Sequence, residues 1–155
     1  MKTLLPSGCY DVLSPFARQQ SQLSSAMLDL FGAYGYEQVA PPLLEYSDNL
    51  LAGRGSQLSS QMFRVMDPTA HRVMAIRPDI TLQIARIAEN QLRDAPRPLR
   101  LCYNGLILRL QGEQLKNDRQ LRQTGIELIG ANSPAADAEV IIIAARTLTA
   151  LGIRE

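Results

Sequence analysis

This sequence lacks any apolar run long enough to cross a bilayer. Such a span needs about 20 apolar residues, and the longest run here is Val140–Ala145. The opening "MKTLLPSGCYDVLSP" is broken by Pro6 and Gly8, so it does not read as a signal peptide. There is also little charge imbalance. Sixteen Lys and Arg face fifteen Asp and Glu, for a net charge of +1, and nothing marks the whole chain as a nucleic-acid or membrane binder. The two cysteines, Cys9 and Cys102, are too few for a disulfide framework, and a cytoplasmic location is expected. The single histidine, His71, stands in the turn-like "DPTAHR". Without a second histidine or a cysteine cluster, no metal site is expected. No cofactor is implied, and there is no internal repeat or low-complexity segment.

What is present suits an ordinary globule. Apolar residues make up 46% and charged residues 20% of 155 residues, enough for a single domain with a real core, here residues 1–155. "SPFARQQSQLSSAMLDLFGAYG" has the apolar spacing of an amphipathic helix that ends at Gly32 or Gly35. Ser14 and Pro15 are suited to its N-cap and first turn. "YEQVAPPLLEY" reads as extended, since two prolines oppose a helix. "SDNLLAGRGSQLSS" reads as a loop with room for a short helix. "MFRVMD" and "HRVMAI" suit a hairpin. "PDITLQIARIAENQLRD" carries Ile80, Ile84, Ile87, Ala88 and Leu92 at helical spacing. "LRLCYNGLILRLQ" and "RQLRQTGIELIG" predict a second hairpin. Ser133-Pro134 opens a last helix that closes at Gly152. That order predicts an α+β fold with an antiparallel sheet flanked by helices.

The second hairpin carries the most chemistry. Alternation places Tyr103, Gly105, Ile107, Arg109 and Gln111 on one strand face. Leu121, Gln123, Gly125, Glu127 and Ile129 share a face on the next strand. A loop centred on Lys116 would set Arg109 opposite Gln123 and Gly105 opposite Glu127. Arginine grips a carboxylate or phosphate as a fork, and Gln and Glu can hold an ammonium or an imidazole. Glycine within a strand often marks a close approach of ligand or backbone. The same face would also suit the solvated side of an antiparallel sheet. Asp79, at the start of "PDITLQIAR", is equally suited to capping its helix.

Several motifs resemble a known family. "GYEQVAPPLL" fits motif 1 of the class II aminoacyl-tRNA synthetases at Gly35, Tyr36, Val39, Pro42, Leu43 and Leu44. In that family the segment forms the dimer interface, which makes Gly35 and Pro42 interface candidates. "IRPDITLQIAR" resembles the "RPEGT" stretch of histidyl-tRNA synthetases, and "RLQGEQLKNDRQLRQTGIELIG" resembles their motif 2 hairpin. "LPSGCYDVLSP" and "SPAADAEVI" add to the likeness. "PPLLEY", "RPD" followed by Thr81, and "PLRLCYNG" are in the style of a paralogous family, the regulatory subunits of the short-form ATP phosphoribosyltransferase.

The resemblance implies the class II catalytic-domain fold, incomplete at the C-terminus, with this chain as its N-terminal portion. It implies a histidine site at Asp79, Thr81, Arg109, Gln123 and Glu127. It also implies a homodimer within a hetero-oligomer that contains the phosphoribosyltransferase catalytic subunit, without a tRNA partner. Three departures speak against adenylate chemistry. Gln111 replaces the glutamate two residues after the motif 2 arginine, and Ile80 replaces a glycine. The loop "GEQLKND" lacks the usual proline and the arginine that follows it. ATP carries about four negative charges near neutrality, so a loop poorer in cations weakens the clamp such chemistry needs. The expected role is a non-catalytic regulatory subunit. The alternatives are a histidyl-tRNA synthetase fragment that activates histidine with ATP, or a synthetase-like module that modifies another substrate.

Overall fold

A computed structural model describes residues 4–51, 58–110 and 117–153. The elements run α1 (Phe16–Ala33), β1 (Glu37–Gln38), β2 (Leu44–Tyr46), α2 (Ser47–Leu51), β3 (Arg64–Met66) and β4 (Val73–Ile76). They continue with α3 (Thr81–Asn90), β5 (Leu99–Leu108), β6 (Gln120–Ile129) and α4 (Pro134–Ala150). The described chain forms two compact units.

The first unit comprises Met1–Val12, Pro41–Gln83 and Gly105–Gln123. It holds the antiparallel sheet β2-β4-β3, in which Leu44 pairs with Ile76 and Met66 with Val73. The expected hairpin of short apolar runs is therefore present. Asp67 accepts from the backbone N–H groups of Thr69 and Ala70 and closes its turn. Leu50, Met62 and Ala75 form the core of this unit.

The second unit comprises Leu13–Ala40, Ile84–Asn104 and Thr124–Glu155. Its core joins Phe31, Tyr36, Cys102 and Ile143. Helix α1 ends where the glycine signal placed it: Tyr34 is the C-cap and Gly35 follows at φ +80°, a conformation that favours glycine. Gly32 lies inside the helix. The cap at the other end differs from expectation. It falls on Pro15, and no side chain caps the helix. Ser14 sits one residue too early to serve. Helix α4 behaves as read: Ser133 caps it, its Oγ accepting from Ala136 N–H at 3.3 Å, with proline in the first turn.

Strands β5 and β6 are neighbours in a sheet of order β1-β5-β6, and β1 runs parallel to β5. The hairpin register differs from the expected one. Arg109 N–H donates to the carbonyl of Arg119 at 2.9 Å, and Asn104 Nδ2 meets Thr124 Oγ1 at 2.6 Å. Both pairs fit a register in which Gly105 stands opposite Gln123. The slip is an even number of residues, so each side chain keeps its predicted face. That face is not solvated on β5, because Leu99, Leu101, Tyr103 and Ile107 are buried. Strands covered on both sides lose the apolar–polar alternation that marks a half-exposed sheet.

Candidate functional site

Four of the five predicted site residues meet in the first unit. Pro78 is fully buried, and its ring holds the backbone rigid just before α3. Asp79 follows it. One oxygen, Oδ1, accepts from the N–H of Thr81, the first residue of α3, at 2.8 Å. The other, Oδ2, accepts from Gln123 Nε2 at 3.0 Å. Gln123 Oε1 accepts from Ile80 N–H at 2.9 Å. The amide is thereby oriented: its oxygen faces the helix start and its nitrogen faces the carboxylate. Arg109 Nε donates to the carbonyl of Pro78 at 3.2 Å.

Asp79 therefore does serve the helix start, as its position suggested. Its second oxygen is taken by Gln123. Glu127 belongs to the second unit, where it accepts from Tyr103 Oη at 3.3 Å. Gln111 and the loop residues Gly112–Lys116 lie outside the described residues.

The two strand glycines have a different use from the expected ligand approach. A Cβ at Gly105 would fall on Arg77 Nη2 and come within 3.1 Å of Ile80 Cδ1. A Cβ at Gly125 would lie 2.6 Å from Tyr103 Oη. Each glycine makes room for one of the protein's own large side chains.

Arg77 is the residue that sequence reading left without a role. It is 6% exposed. Its Nε donates to the carbonyl of Leu106 at 2.8 Å, and Nη1 donates to Pro41 O at 2.7 Å and Gln83 Oε1 at 3.3 Å. Burial lowers its pKa from the ordinary guanidinium value. Gln83, 1% exposed, donates in turn to Pro42 O and to Glu45 Oε2, both at 2.8 Å. A charge this deep must be hydrogen-bonded on several sides; here carbonyl oxygens do it, with Glu45 one step further away. One signal was available in the sequence. Ile80, Gln83, Ile84 and Ile87 follow the i, i+3, i+4, i+7 pattern of a buried helix face, and Gln83 is the polar member of it.

The site thus places a carboxylate, a carboxamide and a guanidinium around the start of one helix. Such a set can hold a zwitterion, with the carboxylate taking an ammonium and the guanidinium a carboxylate. Among the described residues no group of three or more His, Cys, Asp or Glu is placed to hold a metal ion, and no helix is long and apolar enough to cross a membrane.

Comparison with known proteins gives the family and the fold. The chain is 50% identical over 150 residues to the ATP phosphoribosyltransferase regulatory subunit of Gluconobacter oxydans, covering 97% of this chain and 40% of that one. Its fold matches the crystal structure of an ATP phosphoribosyltransferase regulatory subunit/histidyl-tRNA synthetase from Bacillus halodurans, with TM-score 0.84 and 29% identity. That match covers 99% of this chain and 39% of the other. It also matches the apo histidyl-tRNA synthetase of S. aureus, with TM-score 0.81 and 25% identity, over 98% of this chain and 35% of the other. The chain spans about 40% of the length of the curated relatives it matches. The family described as histidyl-tRNA synthetase matches residues 8–155. The chain belongs to the histidyl-tRNA synthetase family.

Proposed function

We propose that this chain is part of a non-catalytic regulatory subunit of ATP phosphoribosyltransferase in histidine biosynthesis. The observation that carries this reading is the 50% identity, over 97% of the chain, to a protein of that name. Histidine would bind at Asp79, Thr81, Arg109 and Gln123 of the first unit; Glu127, which the resemblance also implied, belongs to the second. The carboxylate of Asp79 suits the ligand's ammonium group, and the Arg109 guanidinium suits its carboxylate. Regulation would follow from linkage: histidine favours one state of the assembly and shifts its activity by the difference in affinity. No cofactor or tRNA takes part, and the cytoplasm is the compartment.

The partners are the catalytic subunit and a second copy of this chain. Gly35 and Pro42 are interface candidates, and both are exposed. Leu43 and Leu44, which follow Pro42, are 42% and 38% exposed. On β2-β4-β3 the register aligns Leu44 with Ile76, and Tyr46 with Met74 and Val65. This makes one sheet face largely apolar, in keeping with the more apolar character of homodimer interfaces. We also read residues 1–155 as one domain, since β5 and β6 each supply residues to both units.

Two assays on the full-length protein test the function. ATP–pyrophosphate exchange with histidine separates this reading from a synthetase; robust exchange would overturn it. Calorimetry with histidine tests the site. Asp79→Ala and Arg109→Ala should each weaken binding at least tenfold, about 1.4 kcal/mol. If wild type binds histidine and neither change weakens it, the site is misassigned.

A further inference from the structure

We infer that Arg77 is a positioning residue that couples the Pro41–Leu44 segment, exposed from Pro42 onward, to the Asp79–Gln123 pair. Its contacts form a junction. The side chain holds the carbonyls of Pro41 and Leu106 and the amide oxygen of Gln83. Its backbone N–H donates to Leu43 O, and its own carbonyl accepts from Leu108 N–H, both at 3.1 Å. One residue therefore joins the segment before β2, strand β5 and helix α3. Gln83 closes the triangle, binding Pro42 O from the helix side.

The path from Arg77 to the site is short and stiff. Buried Pro78 separates Arg77 from Asp79, and Arg109 grips the Pro78 carbonyl. A shift of Arg77 is passed on to the Pro78–Asp79 backbone more stiffly than through an ordinary residue, because the proline ring fixes one dihedral of the connection. Asp79 in turn is bonded to Gln123, and Gln123 to the Ile80 N–H. Gly105 is small so that the guanidinium can occupy this place. All of these residues lie in the first unit. A lysine cannot reproduce the junction, since one ammonium lacks the planar fork that reaches three acceptors in different directions.

A partner that docks on Pro41–Leu44 would thus change the site, and by reciprocity a ligand at the site would change the docking segment. The identity of that ligand as histidine rests on the function proposed above; the coupling itself does not.

The test is a double-mutant cycle on the full-length protein, read from the side-chain amide resonances of Gln123 after selective ¹⁵N-glutamine labelling. Pro42→Gly loosens the segment while leaving its carbonyls in place. It should shift the Gln123 resonances in the wild-type background. In Arg77→Lys that shift should fall by about twofold or more, as coupled sites require. Circular dichroism verifies folding. If Arg77→Lys does not fold, Gln83→Leu cuts the same junction from the helix side and should reduce the shift likewise. An undiminished effect of Pro42→Gly in the cut background overturns the coupling, as does no effect in wild type. Titration with histidine is read separately. A wild-type protein that ignores histidine would refute the ligand and leave the amide result to decide the coupling.

Discussion

Gly105→Ala should be among the most damaging single-methyl additions in this protein. The new Cβ would fall on Arg77 Nη2 and within 3.1 Å of Ile80 Cδ1. Neither neighbour can yield easily. Ile80 is completely buried, and Arg77 is 6% exposed and tied to three elements. Overpacking a tight core costs about 1–3 kcal/mol. Displacing the guanidinium by one hydrogen bond costs a further ~1.5–3 kcal/mol, because the bond involves a charged group. Together these predict a loss of about 2.5–6 kcal/mol, a large share of the roughly 5–15 kcal/mol that holds a domain folded. Urea unfolding followed by circular dichroism measures it, with a lower midpoint at unchanged slope. Gly32→Ala is the control. It lies within α1 with nothing within 4 Å of its added Cβ, and should stabilise by up to about 1 kcal/mol. A Gly105→Ala protein within about 0.5 kcal/mol of wild type would refute the account, since surface changes alone are that small.

Two further outcomes follow from the structure. Ser133→Ala should destabilise by about 1 kcal/mol through loss of the α4 cap, whereas Ser14→Ala should leave thermal stability unchanged, because Ser14 caps nothing; equal losses would refute the cap assignments. Tyr36 should make stability depend on alkaline pH. Burial, and then its hydrogen bond to Glu139, raise its pKa from 10.0 to about 12. The folded state therefore holds the phenolic proton more tightly than the unfolded chain does. This contribution is complete below pH 10 and is lost as pH rises toward 12. Tyr36→Phe should flatten the pH dependence of unfolding in that window, and an unchanged profile would refute the assignment.

The parts of the fold that the sequence made legible were those governed by local chemistry. Apolar spacing in α1 and α3, the Ser133-Pro134 start of α4, and the glycine after Tyr34 each name their element, because caps and periodicity act within a few residues. The order of elements followed, and with it the α+β class. Strand alternation also put Arg109 and Gln123 on matching faces, and this survived the register slip because the side-chain period is two.

The bond between Asp79 and Gln123 and the place of Arg77 required the tertiary structure. Sequence separation says nothing of the bond between Asp79 and a glutamine 44 residues away. Nor does it say that Gly105 is a socket for a buried arginine, since a strand glycine looks the same whether a ligand or the protein's own side chain fills the gap. The residue types around "IRPDITLQIAR" determined that a carboxylate would stand at a helix start. Only packing decided where its second oxygen points, because that depends on which distant side chain the core brings within 3.0 Å.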